Sequence, residues 1–223
     1  MAVINVAIDG PAGAGKSSVS RRVAQALGFL YVDTGALYRA VGLSVLRQGI
    51  DPKDRDAVVR TLKDTHVSLR FIDGEQRVFL NDEDVSGLIR TPQASMAASD
   101  VSAIPAVRDF LFALQQDIAS QNNCLMDGRD IGTVVLPHAQ VKIFLTASAA
   151  TRAVRRCKEL EEKGMPAPYA EVLADIEQRD YNDAHRPIAP LCQAEDATLV
   201  DTSDLTFDES CSAVLNIIKE KMV

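Results

Sequence analysis

The stretch GPAGAGKS, residues 10–17, constrains the fold more than any other part of the chain. It fits the pattern G-x-x-x-x-G-K-[S/T]. The apolar run VINVAI (3–8) precedes it, and Val19, Val23 and Leu27 follow it at helical spacing. A strand, a glycine-rich turn and a helix in this order are the setting in which the motif binds phosphate. We therefore predict a phosphate-binding loop (P-loop), whose backbone N–H groups surround the phosphates of a nucleoside triphosphate.

Each part of this loop has a chemical task. Gly10, Gly13 and Gly15 permit the backbone conformations that turn successive N–H groups inward. Lys16 is predicted to reach the β- and γ-phosphates, and the hydroxyl of Ser17 is predicted to coordinate Mg²⁺. The predicted ATP-binding residues are the whole loop: Gly10, Pro11, Ala12, Gly13, Ala14, Gly15, Lys16, Ser17 and Ser18. The alternative is a glycine-rich turn in which Gly-Lys-Ser occurs by chance.

The rest of the chain alternates strand and helix patterns. Four more short apolar runs are predicted to be buried strands: FLYV (29–32), CLM (124–126), VKIFL (141–145) and ATLV (197–200). Helical patterns cover about 36–63 with a break at Gly49–Pro52, the segment after Pro105, and about 148–163, 168–184 and 207–221. These patterns predict an α/β fold, with a five-stranded parallel sheet of the P-loop NTPase type flanked by helices.

One segment departs from this alternation. The stretch VSLRFIDGEQRVFLNDEDV (67–85) alternates apolar and polar residues on both sides of Asp73-Gly74. Such a pattern predicts an antiparallel hairpin. We interpret the segment as a small antiparallel β insert in the α/β domain.

Composition limits the classes of partner that we expect this protein to bind. The net charge of −7 argues against sequence-independent binding of nucleic acid, which normally needs a basic surface. The chain has no apolar run of about 18 residues and begins without a basic leader, so we expect no membrane span and a cytoplasmic location. Its four cysteines lack metal-site spacing and are expected to be reduced. We expect a monomer.

Polar residues at two strand ends are candidates for binding the molecule that accepts the phosphoryl group. DTGALYR (33–39) follows the second strand, so Arg39 lies either above the carboxyl edge of the sheet or on a solvated helix face. In CLMDGRDIGTVV (124–135), Asp127 is placed to hold the water ligands of Mg²⁺. Arg129 would reach phosphate, and Asp130 would accept a hydrogen bond from an amino group. The alternative for either aspartate is the N-cap of a helix.

Two arginine clusters lie on predicted helices. Arg152, Arg155 and Arg156 share one helix face before the flexible stretch KELEEKGMPAP (158–168). This segment is either a mobile flap over phosphates or a solvated face paired with Glu159.

The second cluster comprises Arg179, Asp183 and Arg186, at spacing i, i+4, i+7. It is either functional or an exposed ion pair, which would contribute only about 0.3–0.5 kcal/mol. The chain lacks the guanine-binding motif N-K-x-D, so a small-molecule acceptor is favoured over water.

Several motifs resemble those of one family. IDGPAGAGKS, DTGALYR, DVSGLIRT, AASDVSAIPAVR, DGRDIGTVV, VKIFL and RDYNDAHRPIAPL occur in order over nearly the whole length. In these stretches the chain resembles the bacterial cytidylate kinases, a branch of the nucleoside monophosphate kinases. The resemblance implies transfer of the ATP γ-phosphoryl group to CMP or dCMP, with Mg²⁺ as cofactor.

The resemblance also implies roles for individual residues. The catalytic set would be Lys16, Arg129, Arg152, Arg156 and Arg179. CMP would be bound by Thr34, Arg39, Ser99, Arg108, Arg129, Asp130, Asp183 and Arg186, and Mg²⁺ by Ser17 and Asp127. Arg39, Arg129 and Arg186 would contact the acceptor phosphate, and Asp183 with Arg186 the sugar. Ser99, Arg108 and Asp130 would contact the base, with Thr34 nearby. His185 has no assigned role and is expected on a helix surface.

The resemblance implies one kinase domain over 1–223, with a core at about 1–35, 93–151 and 169–223. A monophosphate-binding region would span 36–92, with the β insert at about 67–85, and a lid 152–168.

Base choice follows from hydrogen bonding. Cytosine has a hydrogen-bond donor at N4 where uracil has an acceptor at O4. If the Asp130 carboxylate faces this position, UMP should be a poor substrate. Two alternatives remain. One is a P-loop kinase of another small acceptor, such as UMP, AMP or shikimate. The other is a non-catalytic nucleotide-binding regulator, which should have lost the arginines that are present here.

Overall fold

The computed structural model describes residues 3–72 and 75–222. The strands are β1 (Asn5–Asp9), β2 (Leu30–Asp33), β3 (Val67–Ile72), β4 (Glu75–Leu80), β5 (Glu83–Asp84), β6 (Cys124–Gly128), β7 (Val141–Thr146) and β8 (Thr198–Asp201). The helices are α1 (Lys16–Leu27), α2 (Thr34–Arg47), α3 (Arg55–Leu62), α4 (Pro92–Ser102), α5 (Pro105–Gln121), α6 (Ala149–Glu162), α7 (Tyr169–His185) and α8 (Phe207–Lys221). A π-helical turn covers Ile131–Val135.

Five strands form the main sheet, in the order β2-β6-β1-β7-β8. β1 pairs parallel with β7, with Val6 opposite Val141, and β7 pairs parallel with β8. The side chains of Val6, Ala7 and Ile8 are fully buried, as expected of a strand covered on both faces. The predicted five-stranded parallel sheet flanked by helices is confirmed.

The chain divides into two compact units: residues 4–29 with 125–222, and residues 30–124 with Val3. In the unit containing residues 30–124, α2, α4, α5 and the small sheet enclose a core that includes Leu37, Val41, Val78 and Leu111. A Cβ on Gly42 of α2 would lie 3.0 Å from the Cβ of Ala97 in α4, so a glycine permits this close approach.

The β insert has three strands where a hairpin is predicted. β3 and β4 are antiparallel, with Val67 opposite Leu80, and β5 pairs with β4. The turn from β4 to β5 uses Asn81 and Asp82, both at positive φ, which asparagine and aspartate tolerate better than most residues. The predicted turn at Asp73-Gly74 lies outside the described residues.

Helix boundaries follow local chemistry. The helical segment predicted at 36–63 forms two helices, α2 and α3, on either side of the predicted break. α2 begins at Thr34 because the Asp33 carboxylate accepts a hydrogen bond from the N–H of Ala36. Sequence reasoning missed α4, which begins with Pro92 after the N-cap Thr91. Within residues 3–72 and 75–222, no helix is both long and apolar enough to cross a bilayer.

In the other unit, α6 and α7 pack through a small apolar cluster containing Ala153, Val172 and Ile176. α8 begins with a capping box, in which Thr206 and Glu209 satisfy each other's backbone N–H groups. Arg152 of α6 donates a hydrogen bond to the carbonyl oxygen of Ala12, which places α6 beside the loop that follows β1.

Candidate active site

The loop between β1 and α1 has the geometry that the P-loop prediction requires. A Cβ on Gly10 would lie 1.9 Å from the carbonyl oxygen of Leu145, so only glycine fits there. Gly13 and Gly15 have φ values of 75° and 90°, in the left-handed region that favours glycine. Gly15 is also the N-cap of α1 and makes no side-chain cap, so an anion can meet the first N–H groups of the helix.

Lys16 lies inside this loop. Its Nζ donates to the carbonyl oxygen of Pro11 at 2.7 Å, and only 7% of the residue is exposed. Burial, together with the nearby charge of Arg129, lowers the pKa of Lys16 to about 7, although Asp127 and other carboxylates act in the opposite direction. A bound triphosphate would favour the charged ammonium and raise this pKa. Lys16 is therefore a desolvated cation placed for a polyanion.

Ser17 and Asp127 form the candidate metal position. The hydroxyl of Ser17 donates to Oδ2 of Asp127 at 2.8 Å, and Asp127 is buried at the end of β6. Two neighbouring oxygen ligands suit Mg²⁺, which keeps several waters and takes further ligands from substrate phosphates. In the described part of the chain, no cluster of three or more His, Cys, Asp or Glu residues could hold a metal by itself. The pair therefore fits a metal that arrives with a nucleotide.

Two arginine–carboxylate pairs lie in the same unit. Nε of Arg129 donates to Asp183 at 2.7 Å, and Nη2 of Arg186 donates to Asp130 at 3.4 Å. Burial alone would raise the pKa of Asp183, but the charge and hydrogen bond of Arg129, with the charges of other arginines, hold it below its usual value. Asp183 is thus a buried anion bonded to a residue 54 positions away. Asp183 therefore does not belong to an exposed ion pair within α7.

The arginines of α6 have three different surroundings. Arg152 is buried; it donates to the carbonyl oxygens of Ala147 and Ala12, both at 2.9 Å, and makes a two-pronged ion pair with Asp180 of α7. It therefore contacts the P-loop backbone directly.

Arg155 donates to the carbonyl oxygen of Thr202 at 2.6 Å. Arg156 is exposed and pairs with Glu159 at 3.1 Å, the arrangement named above as the alternative to a flap. The catalytic roles of Arg152 and Arg156 stay predictions.

Four of the predicted CMP residues lie in the unit containing residues 30–124. Nη2 of Arg39 donates to the Asp33 carboxylate at 2.7 Å. The Nε of Arg39 is buried and has no hydrogen-bond partner among the described residues, so this guanidinium retains capacity for a ligand. Thr34 is buried at the start of α2. This setting differs from a solvated helix face.

The other two lie on α4 and α5. Arg108 is buried, donates to the carbonyl oxygen of Ser102 at 3.2 Å, and lies 5.6 Å from the ring centre of Tyr38. Ser99 lies on α4, where its carbonyl oxygen accepts a hydrogen bond from Ser102. Their predicted contacts with the base stay predictions.

Sequence reasoning missed several polar residues that support these side chains. Gln76 of β4 bonds the backbone N–H of Asp33 at 2.7 Å, and Asp180 holds Arg152. Asp9 accepts hydrogen bonds from the N–H groups of Ile131 and Gly132. A carboxylate in an otherwise apolar strand was a detectable clue for Asp9. Nothing in the local pattern distinguishes Gln76 or Asp180 from surface residues.

Tyr181 and His185 are exposed at the end of α7. The ring of His185 stacks on Tyr181 at 4.0 Å, and its Nδ1 lies 2.8 Å from the carbonyl oxygen of the same residue. His185 is exposed, as expected.

Solved structures with a similar fold include the following two proteins. An uncharacterized protein from Eubacterium ventriosum superposes with a TM-score of 0.54 at 11% identity, and the match covers 97% of this chain and 98% of that one. Shikimate kinase from Bacteroides thetaiotaomicron gives a TM-score of 0.50 at 12% identity, with the same coverage. At this identity the likeness establishes the fold alone.

Sequence relatives are much closer. The cytidylate kinase family model matches residues 6–220. A cytidylate kinase from Caldicellulosiruptor bescii is 51% identical over 217 residues, which is 97% of this chain and 96% of that protein. One from Lactiplantibacillus plantarum is 47% identical over 218 residues, covering 98% of this chain and 96% of its own length. The chain therefore belongs to the cytidylate kinase family.

Proposed function

We propose that this protein transfers the γ-phosphoryl group of ATP to CMP or dCMP, giving ADP and CDP or dCDP. The observation that carries the proposal is the family membership, with about half of all residues identical to cytidylate kinases over nearly the full length. The P-loop with its buried lysine supports the ATP half of the reaction.

For ATP, the proposed site is the loop from Gly10 to Ser18. Phosphoryl transfer needs little acid–base chemistry, so positioning and charge neutralisation supply most of the rate. Lys16 would neutralise charge on the β- and γ-phosphates. Ser17 and Asp127 would hold Mg²⁺, which would supply further charge neutralisation.

For the acceptor, the proposed contacts are Thr34, Arg39, Ser99, Arg108, Arg129, Asp130, Asp183 and Arg186. In Arg129 and Arg186 the guanidinium already has a carboxylate partner, which fixes its orientation before a nucleotide arrives. Preorganised donors of this kind lose less freedom on binding than free side chains do. Asp130 would accept from the cytosine N4 amino group, which disfavours UMP.

The region 152–168 would act as a lid, closing over the nucleotides and excluding water that would otherwise hydrolyse ATP. Arg152, Arg156 and Arg179 would meet the transferring phosphoryl group. We further infer that the protein acts as a cytoplasmic monomer, with one core at about 1–35, 93–151 and 169–223 and a monophosphate-binding region at 36–92. Light scattering on purified protein tests the monomer directly.

An acceptor screen tests the proposal. Purified protein receives ATP, Mg²⁺ and one of CMP, dCMP, UMP, AMP or shikimate, and ADP formation is followed by a coupled assay. We expect turnover with CMP or dCMP and at least about tenfold lower kcat/KM with UMP. Turnover should stop when the metal is chelated and return when Mg²⁺ is restored. Absence of CDP and dCDP in a folded preparation refutes the proposal, and turnover of only another acceptor assigns a different kinase activity.

A further inference from the structure

Asp9 is a buried acid that the proposed chemistry does not use. It is the last residue of β1 and is only 4% exposed. Oδ1 accepts from the backbone N–H of Ile131 at 2.8 Å, and Oδ2 accepts from that of Gly132 at 2.7 Å. An ionised carboxylate inside a protein is costly unless its oxygens are bound, so these two contacts explain how the residue is tolerated.

The two N–H groups belong to the π-helical turn that begins at Ile131. The first N–H groups of a helical turn lack partners within it, and the side chain of the N-cap residue usually supplies one. Asp130 occupies the N-cap position but makes no side-chain cap, and its carboxylate pairs with Arg186. The cap is supplied by Asp9, from a strand that is distant in sequence.

The packing around the turn leaves little freedom. A Cβ on Gly132 would lie 3.2 Å from the Cδ of Lys142 on β7 and 3.4 Å from Oδ2 of Asp9. The turn is therefore held between side chains of β1 and β7. Arg129 and Asp130 directly precede this turn in the chain.

We propose that Asp9 is a positioning residue for the acceptor site, which caps the turn so that the Asp130 carboxylate is directed to Arg186 and the acceptor nucleotide. The inference rests on the proposed function for the identity of that nucleotide. It extends the site to a residue on the entry side of the P-loop that acts on the acceptor half of the reaction.

The variant Asp9→Asn tests this directly. The asparagine keeps the size of the side chain, but its NH₂ group faces one of the two backbone donors and cannot accept from it. We expect the KM for CMP to rise by roughly tenfold, the scale of one lost hydrogen bond to a charged acceptor. The KM for ATP should rise by less than the KM for CMP, because the two hydrogen bonds of Asp9 go to the turn and not to the P-loop, whereas Lys16 loses only the attraction of a nearby charge. Amide hydrogen exchange at Ile131 and Gly132 should accelerate.

Lys142→Met is the matched control. Lys142 is also a buried charged residue that contacts this turn, but it bonds the carbonyl oxygen of Pro137 and the side chain of Asp196. Methionine removes these two polar contacts, so thermal stability should fall. It keeps an apolar side chain against Gly132, so the KM for CMP should stay unchanged.

Three outcomes would overturn the proposal: equal rises in both KM values, which would place the effect on the P-loop; a loss of stability with both KM values unchanged; or a control that raises the KM for CMP as much as Asp9→Asn. If Asp9→Asn does not fold, exchange in the unaltered chain decides. Slow exchange at Ile131 and Gly132 supports the cap, and exchange as fast as in an unstructured peptide overturns it. If the unaltered chain makes no CDP, the proposed function fails, and the exchange measurement still tests the cap.

Discussion

Removing the carboxylate of Asp183 should destabilise the protein strongly. The Arg129–Asp183 pair has a separation of 2.7 Å, and its side chains are 20% and 8% exposed. Asp183→Ala leaves the guanidinium in this setting without its carboxylate, and breaking a buried pair in this way costs about 3–5 kcal/mol. Because a fifth of the Arg129 side chain still reaches solvent, we expect the lower end, about 3 kcal/mol. For a chain of this length, that lowers the Tm by roughly 6–12 °C.

The exposed pair on α6 is the matched control. Arg156 and Glu159 lie 3.1 Å apart, with side chains 40% and 57% exposed. Water screens such a pair, so Glu159→Ala should cost no more than about 0.5 kcal/mol. Both variants are compared by urea unfolding without nucleotide, followed by circular dichroism. If Asp183→Ala shifts the midpoint no more than Glu159→Ala does, the reasoning about burial is wrong.

The pH dependence gives a second readout of the same pair. The pKa of Asp183 lies below its value in the unfolded chain, so its contribution is fully present above about pH 4 and is lost as the pH falls through the folded-state pKa. The stability difference between the unaltered protein and Asp183→Ala should therefore be constant from pH 7 to 5. It should narrow as the pH falls towards 3. A difference that does not change with pH would show that lost packing, and not lost charge, causes the destabilisation.

Three further predictions concern the nucleotides. Lys16→Ala should lower kcat by about 10²-fold or more, the scale of one pre-aligned charge donor, and near-native turnover would exclude the role of Lys16 in transfer. Asp130→Ala should raise the KM for CMP far more than that for ATP, whereas equal increases would contradict a contact with the base. The pKa of Lys16 is about 7 without ligand and should rise when triphosphate binds. ATP binding should therefore take up a proton and weaken as the pH rises from 7 to 9; calorimetry in buffers of different ionisation enthalpy measures that proton, and a heat independent of the buffer would contradict it.

The fold could be predicted from the sequence because strands, helices and the P-loop each depend on residues that are close together in the chain. The P-loop, its helix and the buried strands depend on residue spacing and on apolar runs, which a single stretch of chain displays. α4 was missed because its sequence, PQASMAASDVS, is rich in small residues and shows no clear apolar stripe. The third strand of the insert was missed because Glu83–Asp84 is a two-residue strand made of charged side chains.

The site depended more on distant contacts. The sequence left open whether Asp130 caps a helix, and the structure shows its carboxylate bonded to Arg186, 56 positions away. The spacing of Arg179 and Asp183 allows an ion pair within one helix, yet Asp183 accepts a hydrogen bond from Arg129. Side chains choose partners by distance in space, and sequence spacing reveals only neighbours on the same element.

The sequence by itself therefore determined the kind of chemistry: a phosphate loop, an α/β sheet and a set of arginines in the motifs of a nucleotide kinase family. Only the tertiary structure decided which carboxylate orients which guanidinium, and that Asp9 caps a turn more than a hundred residues further along the chain. The physical reason is that hydrogen bonds and ion pairs act over a few ångströms. The fold alone brings residues from separate strands and helices within that range.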